Sequence, residues 1–76
     1  MWVLILIATG INGELGFTQY EGSFQNRYEC EQHVRSSWFR RNWGIERIYF
    51  LSGGGSNIVA DTGDNLYFTC TGPNNL

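Results

Sequence analysis

The first eleven residues, MWVLILIATGI, carry no charge and only one hydroxyl. A run this apolar admits few folded states. A membrane-spanning helix needs about 20 apolar residues, and this run gives way at Asn12, Gly13 and Glu14. A secretory leader opens on a positive segment and closes on small residues. Ala8-Thr9-Gly10 is small, but the first cation is Arg27 and no A-x-A site follows. Trp2 to Ile7 is aromatic and aliphatic with no polar helical face, which favours a β-strand. The sequence therefore predicts a central strand over Met1 to Ala8, buried on both faces as continuous apolar strands are.

Asn12-Gly13 is a hairpin turn signal, and Leu15 to Phe24 reads as the returning strand. The next stretch, NRYECEQHVRSSWFRRNWG, changes period. Asn26 with Glu29 three residues on resembles a capping box. Cys30, Val34, Ser37, Trp38 and Arg41 then recur at helical spacing, which predicts one amphipathic helix ending near Gly44. That phase puts Trp38 in the core and leaves Trp43, at the helix end, more exposed. Further strands are expected over Ile45 to Leu51, weakly over Asn57 to Ala60, and over Leu66 to Thr71. The tail runs from Gly72 to Asn75. The order β-β-α-β-(β)-β is an α+β arrangement, a small antiparallel sheet with one amphipathic helix. Residues 1–76 make one small domain. One helix covers one face of a sheet, so the doubly apolar first strand predicts a second cover: an oligomer partner, a host protein or a curled sheet.

A chain of 76 residues buries a modest core and benefits from a staple. Cys30 lies on the inward side of the helix. Cys70 lies beside Leu66 and Phe68 on the inward face of the last strand. A Cys30–Cys70 disulfide would close a loop of about 40 residues and contribute roughly 3–4 kcal/mol in the chain-entropy account; two buried thiols are the alternative. If the bond forms, a virion or extracytoplasmic location is favoured. Cys30 and His33, spaced i, i+3, offer two zinc ligands where four are wanted. No metal or other cofactor is therefore expected, and His33 is read as a helix-surface residue.

Three segments imitate catalytic motifs. Ile58-Val59-Ala60-Asp61-Thr62-Gly63 resembles the hydrophobic-Asp-Thr-Gly stretch of aspartic proteases. That mechanism needs two carboxylates sharing a proton, and only 15 residues follow Asp61, too few for the flap and supporting strands. It reads as a turn. LSGGGS precedes a strand-like segment rather than a helix, and the chain has no lysine for a phosphate-loop signature. One His and two Cys give no recognisable nucleophile–base–orienter set. No catalytic residue is assigned, and an enzyme is not expected.

The remaining feature is a basic-aromatic cluster. All five cations are arginines, the net charge is −2, and there are twelve aromatic residues (three Trp, four Tyr, five Phe), more than one thin core hides. Arg40, Arg41, Trp43 and Phe39, with Tyr67 from the last strand, form the candidate interaction surface. Helix-dipole compensation by the arginines and packing of the tryptophan compete with that reading. An acidic, lysine-free chain is a poor general nucleic-acid binder.

The layout as a whole resembles that of short uncharacterised proteins of tailed-phage and environmental viral genomes. Trp2-Val3-Leu4-Ile5, Phe24-Gln25-Asn26, Cys30-Glu31 and Phe68-Thr69-Cys70 carry the resemblance. It implies a compact stapled ββαβ unit and no activity. The chain departs from it in the extra hairpin from Gly53 to Asp64 and in lacking lysine. Two functions are expected from the sequence. One is a small non-enzymatic binding protein, viral by resemblance, that acts on a larger protein through exposed aromatics. The other is a self-assembling structural protein such as a virion decoration or filament subunit.

Overall fold

A computed structural model describes residues 1–51 and 57–73. Five strands and two helices run in the order β1 (Trp2–Thr9), β2 (Leu15–Phe24), α1 (Arg27–Arg35), α2 (Ser37–Trp43), β3 (Arg47–Leu51), β4 (Asn57–Asp61) and β5 (Leu66–Thr71). They form an α+β fold with one five-stranded sheet in the order β2-β1-β5-β4-β3, every pair antiparallel. The segment expected at Gly53 to Ser56 lies outside the described residues, as do the last residues of the tail.

The apolar run becomes β1, an interior strand between β2 and β5. Leu4, Leu6 and Ala8 are buried while Val3, Ile5 and Ile7 are half-buried. This corrects the expectation of a strand buried on both faces. Leu4 pairs with Cys70, Leu6 with Phe68 and Ala8 with Leu66, and the helices lie over this set. The alternate residues share the other face with Thr71, Thr69 and Tyr67, where no element among the described residues forms a second layer.

The helical region holds the second correction. In place of a single helix, two helices meet at Ser36, whose backbone is extended (φ −65°, ψ 150°). Ser36 ends α1 and caps α2: its hydroxyl donates to the His33 carbonyl and accepts from the Phe39 N–H, the side-chain bonding that favours serine at helix starts. Asn26 accepts from the Glu29 N–H at the start of α1. Gly44, at φ +64°, closes α2 in the left-handed conformation where glycine is least strained.

Topology explains why two helices are used. β2 and β3 occupy opposite edges of the sheet, so the chain between them must cross its full width, roughly 19 Å for four gaps of about 4.8 Å. Nine and seven helical residues supply about 24 Å of rise. The bend at Ser36 lets both segments stay on the sheet. The core follows from this crossing: Cys30 and Val34 of α1 and Phe39 of α2 pack on Leu4, Leu6, Ile58, Ala60, Phe68 and Cys70. The Cys30–Cys70 disulfide, with Cα atoms 6.2 Å apart, fastens α1 to β5 across this core.

The break also changes which side of the helix faces inward. A continuous helix would carry the Cys30–Val34 stripe on to Trp38. The extended Ser36 resets the phase, so Phe39 takes the core position at 2% exposure and Trp38 turns outward at 60%. The expected order of the two tryptophans is thereby reversed, since Trp43 is 37% exposed. Its indole stacks edge-on against Phe68 at 4.8 Å, four residues on from Phe39, the spacing at which helical side chains share a face.

Candidate functional site

The five residues expected to form an interaction surface do not form one. Arg40 and Arg41 lie exposed on α2, with Trp43 at its last position. Phe39 is removed from the surface: its ring packs edge-on against Phe68 at 4.9 Å and against His33 at 5.2 Å. Tyr67 is half-buried on β5 and points to the face opposite the helices, because its neighbours Leu66 and Phe68 point toward them. What remains on α2 is Arg40, Arg41 and the open edge of Trp43. To these the structure adds Trp38, three residues before Arg41 and so its neighbour on the helix surface. The signal in the sequence was Ser36-Ser37, a capping pair inside an apparently continuous helix.

The charge pattern around this surface is one-sided. Between Glu31 and Glu46 the chain has three arginines and no carboxylate. Arg27 pairs with Glu31 at 2.8 Å and lies over the Trp2 ring. Arg47 pairs with Asp61 at 3.2 Å and lies over Tyr49. Arg35 sits over the Phe50 ring at 5.2 Å. Among the described residues, Arg40 and Arg41 have neither an ion pair nor an aromatic ring of this kind. Three arginines thus have partners in the fold, while Arg40 and Arg41 are exposed, Arg41 next to Trp38.

His33 is not the surface residue expected. It is half-buried, with its ring between Phe24 and Phe39, each 5.2 Å away, and Trp38 at 6.0 Å. It supports Trp38 from below. Cys30, its candidate co-ligand for a metal, is bonded to Cys70. Among the described residues no group of three or more His, Cys, Asp or Glu is placed to hold a metal ion, and no helix is long and apolar enough to cross a membrane.

The Asp-Thr-Gly segment lies in the β4–β5 connection. The Asp61 carboxylate accepts from the Gly63 N–H at 2.8 Å and from Arg47. The Thr62 hydroxyl accepts from the Asp64 N–H and donates to the Leu66 carbonyl. These are the side-chain-to-backbone bonds of a tight turn. An open recess of about 310 Å³ adjoins it, lined by Glu46, Arg47, Asp61 and Gly63. One of its two carboxylates is already committed to the turn and the arginine.

No known protein family matches the chain, and neither a curated protein nor a solved structure is similar to it.

Proposed function

We propose that the protein is a small non-enzymatic binding protein that docks on a larger protein through the outer surface of α2, using Trp38, Arg40, Arg41 and the exposed edge of Trp43. One observation carries the proposal: Trp38 is 60% exposed with Arg41 as its neighbour on the helix surface, on a helix whose two arginines have no ion pair among the described residues. Tryptophan and arginine are the residue types that dominate binding energy at protein interfaces, where lysine is depleted. A net charge of −2 without lysine favours a protein partner over nucleic acid. The engagement of Asp61 by Arg47 and the turn supports the non-enzymatic reading. The Cys30–Cys70 bond supports a site of action in an oxidising compartment or on an assembled particle.

The test is quantitative capture from extracts of the source organism with wild type and with Trp38→Ser/Arg41→Ala. Both positions are exposed, so the variant keeps its circular dichroism and its disulfide. A partner retained by wild type and reduced at least about tenfold on the variant supports the proposal. Equal capture by both, or none by either, refutes it.

A further inference from the structure

We infer that the protein pairs with a second copy of itself along the free edge of β2, giving a two-fold dimer with a continuous ten-stranded sheet. This rests on different residues from the α2 surface and goes beyond it. β2 is the longest strand, ten residues, and among the described residues has a neighbour on one side only. An edge strand presents a row of unpaired N–H and C=O groups, and an extended backbone is what satisfies them. Proteins commonly guard such edges with lysine, proline, inward charges or β-bulges. Residues Phe17 to Tyr20 carry none of these, and all four are exposed, Phe17 at 54% and Tyr20 at 61%. The other edge, β3, is guarded: it has five residues and begins at Arg47.

The geometry also selects the second copy as the occupant. The register of β2 on β1 is regular from Phe17 to Tyr20, with irregularities on either side, so the regular pairable stretch is short and central. In a two-fold antiparallel pair, residues opposite each other share a face of the sheet. A register centred on Thr18 sets Thr18 against its own copy and Phe17 against Gln19, all within the regular stretch. Every one of these partners is uncharged. Glu14 and Glu21 both lie outside this regular stretch. Pairing β2 with β2 is isologous and closes at two copies, whereas pairing β2 with β3 would propagate.

Sedimentation equilibrium of the full chain, from micromolar to near-millimolar, tests this. Wild type is expected to approach twice 8.7 kDa as concentration rises. Thr18→Lys sets two ammonium groups against each other at the dyad and is expected to raise the dissociation constant about tenfold or more, with circular dichroism and the disulfide unchanged. Trp38→Ser is expected to dimerise like wild type, which separates this inference from the α2 reading. Amide exchange supplies a check that needs no variant: the alternate amides of residues 17–20 that face the free edge gain protection with concentration in wild type. A chain that stays monomeric throughout, a Thr18→Lys variant that dimerises like wild type, or species that grow past the dimer would each overturn the inference.

Discussion

Replacing Phe39 and Trp38 by alanine, separately, probes the reset of helix phase at Ser36. Phe39 is 2% exposed and packs its ring against Phe68 and His33. Removing a buried aromatic ring loses its transfer free energy and leaves a cavity, about 3–5 kcal/mol together. A domain of 76 residues has a total stability of about 4–11 kcal/mol, so Phe39→Ala removes a large share and populates the unfolded state. Trp38 is 60% exposed, with its ring near His33 alone among the described aromatics. Its replacement loses one tilted ring contact at 6.0 Å, so the cost stays below about 1 kcal/mol. Urea unfolding followed by far-UV circular dichroism gives both numbers from the shift in midpoint at constant slope. The expected gap is about 2 kcal/mol or more. A Trp38→Ala cost equal to or above that of Phe39→Ala would mean that α1 and α2 are one helix with the original stripe, and the α2 surface would lose its central residue.

Cys30→Ser/Cys70→Ser opens a loop with a sequence separation of 40 and is expected to lower stability by about 3–4 kcal/mol. Thermal melts with and without reductant read this as a drop of roughly 12–30 °C, and an unchanged melt would show that the bond contributes nothing. Ser36→Ala deletes the hydroxyl that joins the two helices and is expected to cost about 1–2 kcal/mol by denaturant titration, whereas Ser36→Asn, which can still cap, should cost less. Gly72→Ala would drive a methyl into the Trp2 indole, and the overlap is expected to cost about 1–3 kcal/mol, with a red shift of Trp2 fluorescence as the ring is displaced; stability equal to wild type would show that the ring moves aside freely.

Much of the sheet was legible because its signals are local. Asn12-Gly13 marks the first hairpin and Gly13 adopts φ +86°. The alternation of Leu66, Phe68 and Cys70 marks the inward face of β5, and that face brought Cys70 to Cys30. The helices were less legible. Trp38 continues the Cys30–Val34 spacing, and periodicity alone cannot see that one extended serine resets it. The same serine decides that Phe39 is core, so the candidate surface inherited the error. Tyr67 failed for a different reason: it was identified by its residue type, and the face it occupies follows from strand alternation. Lacking enough partners for a metal, His33 reads as a surface residue in the sequence, yet Phe24 from β2 and Phe39 from α2 close around it. Strand order was not legible at all, since nothing local tells β5 to lie between β1 and β4.

The central claim is that the protein meets its partner through α2. Site-specific photocrosslinking reads the contact directly. A benzophenone amino acid is placed at position 38 in one sample and at position 67 in another, the first on α2 and the second on the opposite face of the sheet. Each is irradiated in extracts of the source organism and resolved by mass. The account predicts a discrete heterologous adduct from position 38 and none from position 67. An adduct from position 67 with none from position 38 would contradict it and move the partner to the open face of the sheet.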